Sequence, residues 1–416
     1  MLISAPRGTA DILPENSFKW AYVEQTARTI ADVFGYDEIR TPIFEHTELF
    51  IRGIGTSTDI VRKEMYVFED KKGRSLCLRP EGTATVMRSL LEHKLYSKGL
   101  NKLFYIGPFF RYERPQAGRF RQFHQFGLEA LGVEDPAIDA EIIHATCRFF
   151  RSLGLESLKI SLNSLGCGEC RALYRKALVD FLSSKKEELC GDCNERLSLN
   201  PLRVLDCKNK QCSEIVLTSP VMIDFLCGKC EIHFETLKKY LSSFSIPYTI
   251  NSRIVRGLDY YTGTVFEVVS DLLGAQDALC GGGRYDLLST EIGERSIPAV
   301  GVAMGIERTI SIMEKYGCSF GKKKSPKVYI VTFDENSNEL AASILNDFRE
   351  HMIPIDRDYM ARSIKTQMKE AALREAEYVF VIGSDEVKSG VIKVKRMSDS
   401  EQYDVPLSEL INFINK

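Results

Sequence analysis

Nowhere in the chain do roughly 18 apolar residues follow one another without a break, so no segment is suited to spanning a bilayer as a helix. Met1 to Ala10 has no apolar run ending at small residues, and nothing there resembles a secretory signal. Internal repeats and low-complexity tracts are absent as well, which argues against repeat arrays and unstructured spacers. The chain also lacks a charge excess of either sign: 55 Lys and Arg face 57 Asp and Glu, a net charge of −2. That excludes a protein coated in basic surface. It does not exclude a nucleic-acid partner, because a local stripe of Lys and Arg suffices for phosphate contacts. The expected location is the cytoplasm, with no membrane association.

What is present is an ordinary globular mix, 44% hydrophobic and 27% charged. At 416 residues it exceeds one ordinary core, and two or three domains are expected. Cysteine is the outlier. Eight of the 12 lie between Cys167 and Cys230, six of them in three C-x-x-C pairs. In a reducing compartment such a cluster points to metal or redox chemistry before disulfides.

Periodicity places an amphipathic helix over Glu15–Phe34, ended by Gly35, and a strand at Glu38–Thr41 stopped by Pro42. Ser75–Leu78 reads as a strand and 82–91 as a helix. The runs Leu103–Tyr112 and Phe123–Leu131 form an antiparallel hairpin around a polar turn, 113–119. Asp135–Leu153 is a further helix, and the cysteine-rich stretch occupies about 167–245. Strand and turn patterning returns at Ile250 and ends in a helix after Gly305. Gly317–Pro326, with Lys322-Lys323-Lys324, is a linker. Beyond it, strands at Val328–Phe333, Tyr378–Gly383 and Val391–Arg396 are mixed with helices near Asn338–His351 and Ser363–Ala376, the pattern of a small α/β domain.

Four arginines stand at strand ends or in loops: Arg111, Arg119, Arg256 and Arg308. Any one alone is ordinarily a solvated surface charge. Guanidinium forks make paired, charge-assisted hydrogen bonds to phosphate, so four converging on one pocket would take a polyphosphate such as ATP. Acceptors form a second set: Glu81 and Thr83 in Arg79-Pro80-Glu81-Gly82-Thr83, then Gln125 and Glu129. Strand alternation puts Phe123, Gln125, Gly127 and Glu129 on one face. A carboxylate, an amide and a glycine make a poor core and a good floor for a polar small-molecule pocket. Gly281, Gly282 and Gly283 permit close approach of a ligand or another strand. His124 alternates away from that face and is assigned a structural role; His46 is not needed.

Three strings together resemble signatures of class II aminoacyl-tRNA synthetases: Arg79-Pro80-Glu81-Gly82-Thr83, Phe110-Arg111-Tyr112-Glu113-Arg114-Pro115 and Gly305-Ile306-Glu307-Arg308. The last two are similar to that class's second and third motifs, and Pro42 fits the proline of its first. Within the class, Arg256-Gly257-Leu258-Asp259-Tyr260-Tyr261-Thr262-Gly263, Cys280-Gly281-Gly282-Gly283-Arg284-Tyr285-Asp286 and Arg121-Gln122-Phe123-His124-Gln125-Phe126-Gly127 resemble the histidyl-tRNA synthetase family. The resemblance covers nearly the whole chain. It implies an α+β fold: an antiparallel-sheet catalytic domain, 1–324, with a helical, Cys-rich insertion at about 167–245, and a C-terminal α/β anticodon-binding domain, 325–416.

It also implies a ligase. Histidine's carboxylate attacks the α-phosphorus of ATP, which comes with Mg²⁺, and the adenylate then passes histidine to the terminal adenosine of tRNA(His). By the same resemblance Arg111 and Arg256 hold the α-phosphate as catalytic residues. Arg308 meets the γ-phosphate, and Arg119 serves the loop side of the triphosphate. Phe123 and Arg308 sandwich adenine, and Glu113 reads its edge. Glu81, Thr83 and Gln125 bind the histidine ammonium, Glu129 and Tyr261 the two ring nitrogens, and Arg111, Arg256 and Tyr260 complete the histidine site. A homodimer is implied through the first motif, and the tRNA's extra 5′ guanosine and anticodon as the features read.

Other readings are weaker. A regulatory paralogue that only binds histidine typically loses motif residues and the anticodon module, whereas Arg256 and the C-terminal domain are kept. Another class II synthetase is opposed by Glu129 and by 256–263, and a generic nucleotide-binding module does not explain the ordered motifs. The cysteines stand apart from catalysis. Two C-x-x-C pairs make one tetrahedral zinc site. The preferred structural Zn²⁺ ligands are Cys167, Cys170, Cys190 and Cys193, which one helix-sized segment separates. Cys227/Cys230 is able to replace either pair or to join Cys207 and Cys212 in a second site, and free thiols are the alternative. Such a site is expected to lie remote from catalysis.

Overall fold

The computed structural model describes residues 3–56, 58–115, 118–156, 158–207, 209–254, 258–270, 278–293 and 295–415. The chain forms two compact units, Met1–Gly321 and Lys322–Lys416.

The larger unit is built on an eight-stranded sheet. Its order is Asp37–Glu38, Asn101–Phe110, Gln122–Leu131, Ala299–Gly305, Ala278–Arg284, Thr262–Val269, Lys159–Ser164 and Thr249–Ile250. The inner pairings are antiparallel, and the two short outermost strands pair in parallel. Alternation along Gln122–Leu131 decides which face is which. Phe126, Leu128 and Ala130 join a core with Val23, Ala27 and Ile30 of the Pro14–Val33 helix and with Ile142 and Phe149 of the Pro136–Ser152 helix. The opposite face carries Tyr105, Phe109, Tyr260 and Tyr285. One face is thus sealed by helices, and the other is left for a site.

The strand expected at Glu38–Thr41 is only Asp37–Glu38. Beyond it the Thr41 carbonyl and hydroxyl accept from Arg79 Nη1 at 2.9 and 3.1 Å. The buried Arg79 side chain, also bonded to the Pro108 carbonyl at 3.0 Å, therefore takes the acceptors a neighbouring strand would use. The Cys-rich insertion is helical: Gly168–Ser183, Gly191–Leu199, Lys210–Leu217 and Gly228–Ser243. The last of these sends Phe234, Leu237 and Leu241 into the main core, while Tyr174, Leu178, Leu182, Val204 and Ile215 make a small core of their own.

The smaller unit is a five-stranded sheet ordered Ile355–Arg357, Val328–Thr332, Tyr378–Ile382, Val391–Arg396, Gln402–Pro406. The first three strands are parallel, and helices Ser337–Glu350 and Ile364–Leu373 accompany them. The last two strands add antiparallel. Ile355–Arg357 and Gln402–Pro406 are too short or too polar to announce themselves by pattern.

Candidate active site

The hairpin supplies the floor. In its register Phe109 pairs with Phe123, Gly107 with Gln125, Tyr105 with Gly127 and Leu103 with Glu129. On the far side Gly305, Ala303 and Gly301 stand opposite Gln125, Gly127 and Glu129. Glycine is required for room at two of these places and at Gly82 beside them. A Cβ on Gly301 would overlap the Glu129 carboxylate, and one on Gly82 or Gly127 would overlap the Tyr105 ring from either side. Gly282 and Gly283 have a similar constraint from neighbouring strands, since a Cβ would strike the Gly301 and Thr264 carbonyls. Gly281 instead lines the cavity above the floor.

That cavity has a volume of about 270 Å³. Arg111, Arg119 and Arg308 line it together with Glu113 and Phe123. Arg111 leaves the hairpin just past its first strand; its Nε donates to the Pro80 carbonyl at 3.0 Å, and its guanidinium lies 5.3 Å from the Phe123 ring. Arg119 Nη1 meets Glu113 Oε2 at 3.0 Å. Arg308 donates to the Ala278 carbonyl at 2.7 Å. Burial, and next the charges of Arg119 and Arg111, hold the Arg308 guanidinium below its ordinary pKa. Three crowded cations relieve one another when an anion lies between them. Arg256, the fourth of the set, lies outside the described residues.

Acceptors occupy the same cavity: Glu81, Thr83, Gln125, Tyr260 and Tyr261 all line it. Glu81 caps the Thr83–Glu92 helix, its carboxylate accepting from the Thr83 and Ala84 backbone N–H groups at 2.8 and 2.9 Å. Tyr260 Oη stands 3.4 Å from it. Burial raises the Glu81 pKa. Gln125 Oε1 is buried with no hydrogen-bond partner among the described residues, a feature that native structures seldom leave without a use.

Glu129 sits one layer behind the lining. Its carboxylate accepts from Thr83 Oγ1 at 2.7 Å and from the Tyr285 hydroxyl. Burial outweighs these bonds and pushes its pKa up to about 8. The folded protein therefore keeps a proton that an unfolded Glu releases near 4.5, and stability falls as pH rises between those values. Glu129→Gln removes that penalty while keeping an acceptor for Thr83. We expect the variant to gain on the order of a few kcal/mol over the native chain at pH 8.5 and much less at pH 5. Denaturant unfolding at both pH values measures it; a gap that does not change with pH refutes a buried, proton-holding Glu129.

Several working parts escape sequence reasoning. Tyr105 and Tyr285 frame Glu129; Tyr105 does not stand out from other aromatics in a strand, and Tyr285 is marked only as part of the Cys280–Asp286 string, with no role attached. Glu307 accepts from the His124 backbone at 2.9 and 3.0 Å and meets its Nδ1 at 2.9 Å. With the Trp20 ring edge-on at 4.9 Å, His124 is a fixed strut between sheet and helices. A buried ion pair, Arg284 to Asp139 at 2.9 Å, ties the sheet to the Pro136–Ser152 helix. Asp139 in the apolar face of that helix was the available signal.

The model of the histidyl-tRNA synthetase family matches residues 8–196 and 227–309. The chain belongs to that family. An anticodon binding domain matches residues 327–416. A histidine–tRNA ligase of Halothermothrix orenii is 52% identical over 417 residues, covering 100% of both chains. The crystal structure of apo S. aureus histidyl-tRNA synthetase superposes with a TM-score of 0.86 at 39% identity, covering 100% of both chains. A Bacillus halodurans ATP phosphoribosyltransferase regulatory subunit/histidyl-tRNA synthetase shares the fold, with a TM-score of 0.66 and 20% identity over 92% of this chain and 99% of that one. The class II architecture expected for the family is present: a largely antiparallel sheet, a helical Cys-rich insertion and a C-terminal anticodon-binding domain.

The cysteines depart from the preferred set: in the first group Cys227/Cys230 replaces Cys190/Cys193, the alternative the spacing allowed. Cys167 and Cys170 gather with Cys227 and Cys230, and Cys190 and Cys193 with Cys207 and Cys212; within each quartet the sulfurs all lie within 4.8 Å of one another. The set Cys167, Cys170, Cys190, Cys193 is therefore incorrect as a single site. The 16-residue Gly168–Ser183 helix explains why: it carries the chain about 24 Å away from the first pair, leaving Cys190 beyond its far end. The chain has come back to the first pair by Cys227, the N-cap of the Gly228–Ser243 helix.

Proposed function

We infer that the protein activates histidine with ATP, releasing pyrophosphate, and transfers it to the 3′ end of tRNA(His). The observation that carries this reading is one cavity in which three arginines stand beside buried acceptors sized for a small polar ligand. Arg111 holds the α-phosphate, with Arg256 as its partner by family likeness. Arg308 takes the γ-phosphate, and Arg119 neutralises the triphosphate from the loop side. Adenine lies between Phe123 and Arg308, where an aromatic face and a guanidinium plane suit a flat base, and Glu113 reads its edge. Mg²⁺ arrives with the triphosphate as part of the substrate.

Glu81, Thr83 and Gln125 receive the histidine ammonium, and Tyr260 supports Glu81. Tyr261 and Glu129 receive the ring, Tyr261 from the cavity wall and Glu129 from one layer behind it, where it accepts from the lining Thr83 hydroxyl; neutral imidazole offers one donor and one acceptor. As the carboxylate attacks the α-phosphorus, negative charge grows on the phosphate oxygens. Pre-set guanidinium groups stabilise that charge with little rearrangement. In the second step a hydroxyl of the tRNA's terminal adenosine attacks the histidyl carbonyl and AMP leaves. The protein acts in the cytoplasm as a homodimer joined through the segment around Pro42. No helix among the described residues is long and apolar enough to cross a membrane. ATP–pyrophosphate exchange tests the first step: labelled pyrophosphate enters ATP when histidine is supplied, and failure of histidine to drive exchange overturns the reading.

A further inference from the structure

The insertion between Ser164 and Thr249 has too little apolar interior to be held by burial alone. Its own core is small, and four of the residues in it or packed on it are leucines from one helix and one short turn, Leu178, Leu182, Leu202 and Leu205. Segments of this size usually rely on cross-links or a metal. Eight cysteines converge there in two quartets, and all are free of disulfides.

The distances suit one ion per quartet. A tetrahedral zinc tetrathiolate, with bonds of about 2.3 Å, has sulfur–sulfur edges of about 3.8 Å. In the first quartet Cys167 Sγ stands 3.6 Å from Cys170 Sγ and 4.0 Å from Cys227 Sγ. In the second, Cys190 Sγ stands 3.8 Å from Cys207 Sγ. These separations exceed a disulfide bond, of about 2.05 Å. They are also tighter than an iron–sulfur cluster allows, since its irons and sulfides hold the thiolates apart.

The surroundings suit anionic sulfur. Cys167, Cys190 and Cys227 each occupy the N-cap of a helix, where the dipole favours negative charge. Backbone N–H groups point at sulfur, from Cys227 to Cys170 at 3.1 Å and from Cys190 to Cys212 at 3.2 Å. Such bonds orient metal ligands and moderate their charge.

The quartets also reach the histidine side of the cavity. One turn after Cys167, Arg171 donates to the Tyr261 carbonyl at 3.2 Å. Between Cys193 and Cys207, Asn200 and Arg203 both donate to Asp259 Oδ1 at 3.2 Å. Leu165 and Gly166, just before the first quartet, exchange backbone hydrogen bonds with Gly263 at 2.6 and 2.9 Å. Gly166 has φ of +59°, and a Cβ there would press on Cys170 and Met222. The segment from Asp259 to Gly263 is thus gripped at several points by residues next to the cysteines.

We propose that each quartet, Cys167/Cys170/Cys227/Cys230 and Cys190/Cys193/Cys207/Cys212, holds one structural zinc ion, and that the two together brace the Asp259–Tyr261 segment against the cavity. The brace rests on the histidine reading given above; the zinc content does not. The expected remoteness of the metal from catalysis is replaced by a mechanical link.

The full chain, purified without added metal, is expected to carry two zinc per chain by elemental analysis, with no disulfide by mass spectrometry of the alkylated protein. One zinc or fewer, iron in its place, or disulfides within a quartet overturns the metal sites. Cobalt exchanged into the native protein is expected to show intense thiolate-to-cobalt absorption at two equivalents, and its absence also overturns them. Arg203→Met and Arg171→Met leave every cysteine in place. They are expected to retain two zinc while raising the KM for histidine about tenfold, with little change in the KM for ATP. Two zinc with an unchanged histidine KM overturns the brace alone, and exchange that histidine fails to drive even in the native chain identifies a failure of the functional reading instead.

Discussion

Phenylalanine, glutamine and leucine are expected to support ATP–pyrophosphate exchange at least about 10⁴-fold less efficiently than histidine, compared as kcat/KM. The reason lies in how the pocket satisfies its own polar groups. Glu129 is fully buried, its two oxygens used by Thr83 and Tyr285, and burial lifts its pKa to about 8. Glu81 is buried one residue from the helix it caps. A side chain that intrudes on this network without a matching donor displaces Thr83 or Tyr285 from Glu129 and leaves the carboxyl desolvated and unpaired. Each such loss costs about 1–3 kcal/mol, and more where a charge is involved. Phenylalanine resembles the ring in shape and offers neither nitrogen. Glutamine offers both a donor and an acceptor, but on a flexible chain rather than at the fixed spacing of a five-membered ring. A pocket that discriminated by apolar fit alone would give only about 10–200-fold. Exchange with any other amino acid within about 100-fold of histidine refutes a site built on matched hydrogen bonds.

The sequence disclosed the parts that depend on short-range pattern. Alternation along 123–129 places Gln125 and Glu129 on the site face, because a strand's side-chain period leaves no alternative once the hairpin is recognised. The helices at Pro14–Val33, Pro136–Ser152 and Ser337–Glu350 begin and end within a residue or two of where periodicity puts them. What failed to show is pairing across long separations. Cys227 joins Cys167 across a sequence separation of 60, after a helix has carried the chain out and others have brought it back. Spacing makes C-x-x-C a pair but says nothing about which pair it meets. Tyr285 likewise reaches Glu129 from a turn far along the chain. Arg79 looks like a motif arginine and is an internal strut: buried, bonded to Thr41 and Pro108, and stacked 4.5 Å from the Phe109 ring. A guanidinium that binds carbonyls and one that binds phosphate have the same sequence signature.

The same ambiguity makes Arg111 the sharpest test of the catalytic reading. Its Nε donates to the Pro80 carbonyl at 3.0 Å, which fixes the fork's orientation, while Nη1 stays 3.9 Å from Glu113, beyond a hydrogen bond. The Phe123 ring lies 5.3 Å away on one side. One edge is anchored, and the other lines the cavity that Arg119 and Arg308 share. A group held in this way gains most from charge that develops on the α-phosphate during attack, so Arg111→Ala should lower kcat for histidine activation more than it raises either KM. Removal of a pre-set donor to developing oxyanion charge costs roughly 10²–10³-fold in kcat, and that is the expected loss. Arg256→Ala is expected to fall in the same range, by likeness to the family. Arg111→Lys keeps the charge and loses the planar fork, so it should recover only a small part of the rate. Arg119→Ala, whose side chain is 42% exposed, should act mainly on the KM for ATP. Exchange kinetics with each substrate varied in turn while the other is saturating separate these outcomes. A kcat within about threefold of the native value for Arg111→Ala, with zinc content and unfolding unchanged, would mean that Arg111, like Arg79, is a strut.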